Sequence, residues 1–120
     1  MTSKPDHDSG DKPILIYTTF PALAAAEAAA SKLLDGGLIA CANIIPGMVA
    51  LYDWQGNRHR DAEVVMILKT RACLVEAVMT ATRAHHPYDN PAIIAIDPIA
   101  GSADYFAWIA AQTAGVTGTA

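Results

Sequence analysis

The sequence predicts an α+β fold, an antiparallel sheet carrying helices, with its elements in the order β-α-β-β-α-β-α. Three observations carry that reading. Apolar, β-branched runs bounded by proline or glycine alternate along the chain with stretches of helical period. The turn signal Gln55-Gly56-Asn57 joins two β-rich runs closely enough to make an antiparallel hairpin. Within Glu63–Leu68, Val64, Met66 and Leu68 point one way while Val65 and Ile67 point the other, so both faces of that strand are apolar.

Each element has its own justification. Residues 1–12 hold few apolar groups and read as a disordered tail, because nothing there offsets the entropy of ordering. A single domain is expected over 13–113. Its first strand is Ile14–Phe20, bounded by Pro13 and Pro21, and Pro21 suits the first turn of the helix that follows. Ala26, Ala30, Leu33 and Leu34 give that helix its stripe, and Gly36-Gly37 its left-handed stop. Leu38–Trp54 is a long β run bent at Pro46-Gly47, since proline cannot donate to a ladder. Ala62–Thr70 is its hairpin partner. Arg71 to about Ala84 places Leu74, Val75, Val78 and Met79 on one stripe of a second helix, which Pro87 ends. Ile93–Pro98 is the last strand, and Ser102 caps a helix running to about Thr113. Residues 114–120 are small and polar and read as a frayed end.

The first six elements form the split βαβ arrangement of ferredoxin-like folds, whose helices cover one sheet face. The second apolar face therefore calls for a partner, and another copy of the chain is the economical one. With 52% apolar and only 17% charged residues, the surface is lean in charge, which fits the same expectation.

Charge and targeting exclude several roles. A net charge of −4 with no basic stripe argues against nucleic acid. No apolar stretch reaches the length of a membrane span, and the N-terminus lacks the apolar region of a secretory signal. Cys41 and Cys73 are far apart and form no C-x-x-C pair, so a reduced cytoplasmic setting is expected. There is no nucleophile elbow and no H-E-x-x-H, and the chain is read as a binding protein rather than an enzyme.

Five segments then resemble one family in order and spacing. Gly37-Leu38-Ile39-Ala40-Cys41 through Ile44-Ile45-Pro46-Gly47 is similar to a G-L-A-A-C-x-x-I-x-P-G signature. Tyr52-Asp53-Trp54-Gln55-Gly56 resembles Y-x-W-x-G, and Glu63 through Lys69-Thr70 resembles E-x-x-x-x-x-K-T. His86-Pro87-Tyr88 with Pro91 resembles H-P-Y-x-x-P, and Tyr105 with Trp108 resembles Y-x-x-W. On these motifs the chain resembles the CutA divalent-cation tolerance family. The resemblance implies a homotrimer, a shape related to the PII signalling proteins, and a role in tolerance of copper and other divalent ions.

His85 and His86 are the candidate metal ligands, because imidazole is the commonest ligand for copper and zinc. The resemblance implies ligands at both positions. The alternative is that one histidine sits at the helix C-terminus and the other packs. Tyr17 stands where the copper-binding pattern has a cysteine, and Ala92 where an acidic residue is common, so copper or zinc binding is expected to be retuned. Trp54, Glu63, Lys69 and Tyr88 are a second candidate set. They read either as satisfied interface groups or as the lining of an intersubunit cleft that takes a small anionic ligand in the PII manner. His59 and His7 are expected to be solvated, and Cys41 to be buried.

Overall fold

A computed structural model describes residues 10–116. In chain order it contains β1 (Pro13–Phe20), α1 (Leu23–Asp35), β2 (Cys41–Trp54), β3 (Asn57–Arg71), a 3₁₀ turn (Ala72–Leu74), α2 (Val75–Ala84), β4 (Ile93–Ile96) and α3 (Ala103–Gln112). The sheet order is β2-β3-β1-β4, with each neighbouring pair antiparallel. This is the split βαβ order: the α1 crossover leaves a gap between β1 and β2, and the hairpin folds β3 into it.

Strand alternation sorts the side chains. Ile16, Phe20, Met66 and Leu68 face α1 and α2 and are fully buried with Leu33, Leu74 and Val78. Burying each such side chain stabilises the fold by about 1.5–3 kcal/mol. Ala26, Ala29 and Ala30 line the buried side of α1, where small side chains let the helix approach the sheet closely. Leu34, expected on that stripe, is exposed because the stripe runs through Ala29 instead. Pro21 lies just before the Ala22 N-cap rather than inside the first turn. Gly37, at φ +69°, supplies the left-handed stop.

The second face is partly covered by this chain. α3 packs against β3 and β1, and Lys69 Nζ donates to the Tyr105 hydroxyl at 2.9 Å. Ser102 caps α3 by accepting from the Tyr105 N–H at 3.2 Å. Elsewhere this face stays open, with Ile94 54% and Ile96 44% exposed. Cys41 lies on it and is half-buried, not enclosed, because only Lys69 stands opposite it in the ladder.

β2 and β3 outrun the rest of the sheet. β1 pairs with β3 only from Val64 to Arg71, while β2 pairs with β3 down to Asn57. The remainder is a two-stranded arm, and the molecule extends 55 × 27 × 24 Å. The ladder shifts register between Ile45 and Met48, the bulge that Pro46-Gly47 imposes, with Gly47 at φ +90°. The arm closes on a two-residue turn, Gln55-Gly56, both at positive φ as a hairpin's twist demands.

Of the tail expected over 1–12, residues 1–9 lie outside the described residues, as does His7. Lys12 is bonded to Asp97 at 2.6 Å and Asp11 to Arg71 at 3.1 Å. Of the end expected over 114–120, residues 117–120 lie outside the description. Val116 is tied in: its carbonyl accepts from Arg71 Nη2 at 2.6 Å. Among the described residues no helix is long and apolar enough to cross a membrane.

Candidate functional site

Where the arm leaves the four-stranded sheet, a cleft of about 550 Å³ opens beside the segment that follows α2. Tyr52 and Trp54 reach it from β2, Asp61 and Glu63 from β3, and Thr19 from the end of β1. Tyr88, Asn90 and Ala92 close its other side. The register explains the grouping: Tyr52 stands opposite His59, Ala50 opposite Asp61 and Met48 opposite Glu63, so these side chains share one face.

The two carboxylates each hold a phenol. Tyr88 donates to Glu63 Oε2 at 2.9 Å, and Tyr52 donates to Asp61 Oδ2 through a short hydrogen bond. Burial and then the Glu63 hydrogen bond push the Tyr88 hydroxyl up to about 12. The Asp61 hydrogen bond raises the Tyr52 hydroxyl as well. Both phenols are neutral donors at physiological pH, and the charge in the cleft is carried by Asp61 and Glu63.

His86 lies behind the cleft's lining and holds Thr19 and Tyr88 in place. Its ring stacks on Phe20 with centroids 4.2 Å apart, Nε2 donates to the Thr19 carbonyl at 2.6 Å, and Nδ1 accepts from the Tyr88 N–H at 3.1 Å. That pattern fixes the Nε2–H tautomer and commits both ring nitrogens to backbone. Pro87 turns the chain after α2, and His86 pins the turn so that Tyr88 meets Glu63. His85 is exposed, and its backbone N–H satisfies the last carbonyls of α2, Ala81 and Thr82.

The sequence-derived candidates therefore separate. Trp54, Glu63 and Tyr88 come together, while Lys69 lies six residues along β3 from Glu63, about 20 Å at ~3.3 Å per residue. Lys69 is held there by the Tyr105 hydroxyl, with its ammonium 5.2 Å from the ring centroid, and Trp108 stacks on Tyr105 with centroids 5.7 Å apart. His59 is half-buried rather than solvated, because it stacks on Tyr52 across the hairpin at 5.2 Å. Tyr52, Asp61, Thr19, Asn90 and Ala92 were not among the candidates. Parity in the hairpin would have found Asp61 and Tyr52, which share a face with Glu63 and Trp54.

Among the described residues no group of three or more His, Cys, Asp or Glu side chains is placed to hold one ion. The His85–His86 pair does not fit a closed metal site, since His86 has no free nitrogen. Asp61 and Glu63 fit better as part of an oxygen set, because hard divalent ions bind through one or two carboxylates and keep the rest of their shell as water.

Comparison with known proteins places the chain. Residues 14–112 match the family model described as CutA1 divalent ion tolerance protein. The divalent-cation tolerance protein CutA of Escherichia coli O139:H28 is 35% identical over 107 residues, covering 89% of this chain and 96% of that protein. A chloroplastic CutA of Arabidopsis thaliana is 36% identical over 83% of this chain but 55% of its own length. Among solved structures, CutA1 of Ehrlichia chaffeensis superposes with a TM-score of 0.81 at 39% identity, covering 84% of this chain and 94% of that one. A periplasmic CutA of Archaeoglobus fulgidus gives 0.81 at 35% identity, covering 84% and 98%. Motif order over residues 14–112, strand order and sequence identity agree: the chain belongs to the CutA divalent-ion tolerance family.

Proposed function

We propose that the chain works as a homotrimeric cation-binding protein in the response to divalent metal ions, with the Asp61–Glu63 cleft as its binding site. One observation carries this reading: the charged groups lining the cleft are two carboxylates, with no Lys, Arg or His among its lining residues. Such a cleft attracts cations and repels anions. A PII-like anionic ligand finds no counter-charge there, since Lys69 is engaged by Tyr105 at the other end of β3. The trimer is supported by apolar surface on the open face and the arm, where Ile45, Val49, Leu51, Ile94 and Ile96 are all exposed. The two free cysteines fit a reducing cytoplasm. The role is binding, with no turnover assigned to it.

A second reading, imidazole ligation of copper or zinc, is favoured by the exposed ring of His85. Isothermal titration of the purified protein with Mn(II), Zn(II) and Cu(II) separates the two. Asp61→Asn/Glu63→Gln is expected to weaken Mn(II) binding at least ten-fold, and His85→Ala to leave it unchanged. Mn(II) binding that survives loss of both carboxylates overturns the cleft assignment. A copper isotherm abolished by His85→Ala alone establishes the imidazole reading. Size-exclusion chromatography with light scattering should give three times the chain mass; a monomer rejects the trimer.

A further inference from the structure

We infer that the cleft takes an organic cation, and that a short alkyl diammonium is the ligand its geometry fits best. This rests on the cation-binding reading above and names the occupant.

Size argues first. At about 550 Å³ the cleft lies within the roughly 300–1,000 Å³ of small-molecule sites. A divalent ion with six waters occupies only about 180 Å³ at ~30 Å³ per water. The walls argue next. Tyr52, Trp54 and Tyr88 surround Asp61 and Glu63, and Trp54 is 58% exposed at the mouth. Aromatic faces attract an ammonium within about 6 Å of the ring, and its alkyl body covers their apolar surface. A hydrated metal ion uses neither.

A neutral apolar ligand is excluded because it would strip water from two carboxylates without returning a hydrogen bond. An anion is excluded by sign. Each carboxylate spends one oxygen on a phenol, Glu63 Oε2 on Tyr88 and Asp61 Oδ2 on Tyr52, which leaves Oε1 and Oδ1 to accept from an ammonium. The phenols orient the carboxylates; the second oxygens bind.

Length argues last. Asp61 and Glu63 are two residues apart on the same face of β3, about 6.7 Å along the strand. A diammonium with a four-carbon spacer spans that distance and places one nitrogen on each carboxylate, with the methylenes against Tyr88 and Trp54.

The test is isothermal titration of the native oligomer, at matched ionic strength, with 1,4-diaminobutane, butylammonium and MnCl2. The diamine is expected to bind at least ten-fold tighter than butylammonium. Trp54→Leu should weaken the diamine at least five-fold more than it weakens Mn(II). Should that variant alter the oligomer, Trp54→Gln gives the same readout, since it too removes the aromatic face and leaves both phenol–carboxylate bonds in place. Diamine binding no tighter than butylammonium, or insensitive to both aromatic substitutions, overturns the inference. Mn(II) binding without diamine binding also overturns it, while leaving the cation-binding cleft standing. Diamine binding without Mn(II) upholds it and rejects the metal as occupant. Binding of neither overturns both readings.

Discussion

Replacing His86 with alanine removes three contacts at once, and their sum can be worked from the structure. The imidazole stacks on Phe20 at 4.2 Å, a contact worth about 0.5–1.5 kcal/mol beyond burial. Its two hydrogen bonds, to the Thr19 carbonyl and from the Tyr88 N–H, contribute about 0.5–1.5 kcal/mol each. A loss of about 1.5–4.5 kcal/mol is expected. With a mid-range urea slope of roughly 2 kcal/mol per molar, the unfolding midpoint should fall by about 0.8–2.3 M at fixed protomer concentration. His85→Ala, which removes an exposed side chain, should cost less than about 0.5 kcal/mol. Urea unfolding followed by tryptophan fluorescence reads both variants side by side. Equal shifts for the two, or a His86→Ala loss below about 0.5 kcal/mol, would refute the role of His86 in pinning the turn that carries Tyr88.

Arg71 is 8% exposed and binds the Thr113 hydroxyl at 2.8 Å, the Thr113 carbonyl at 2.7 Å and the Val116 carbonyl. Arg71→Met strands those acceptors, so it should cost about 2–4 kcal/mol and speed proteolysis beyond Gln112; an unchanged digestion pattern counts against the clamp. The Tyr88 hydroxyl should titrate near 12 by absorbance at 295 nm, and Glu63→Gln should bring it down without restoring 10, since burial is the larger cause. Because the folded value is raised, the stabilisation is complete below pH 10 and is lost as pH rises toward 12. Ala92 lines the cleft, so Ala92→Asp adds a third carboxylate and should tighten Mn(II) about ten-fold; no change would remove Ala92 from the site.

The fold was legible because strand parity and turn chemistry are local properties. The two apolar faces of Glu63–Leu68, the Gln55-Gly56 turn and the Ser102 cap each appear where the residues place them. The reach of the hairpin was less legible. Asn57–Asp61 is polar and falls outside the strand expected over Ala62–Thr70, yet it pairs as strand because β2 templates it across the ladder. The coverage of the second face by α3 was also hidden, since the Lys69–Tyr105 bond spans 36 residues.

The site divides in the same way. Motifs single out Trp54, Glu63, Lys69 and Tyr88 for a cleft between subunits; within one chain the rise of the strand sets Lys69 about 20 Å from Glu63, although parity puts the two on one face. His86 reads as a ligand candidate because imidazole is the commonest ligand for copper and zinc and the family resemblance implies a ligand at that position. Which nitrogens remain free depends on Thr19, 67 residues away, and no local pattern reports that.

The most direct measurement is a titration of the native protein with MnCl2 and 1,4-diaminobutane, before and after Asp61→Asn/Glu63→Gln. Saturable binding of at least one cation, weakened ten-fold or more when both carboxylates are neutralised and lost as ionic strength rises, is the predicted result. Binding that is indifferent to the two substitutions, or a protein that takes an anion there instead, would contradict it.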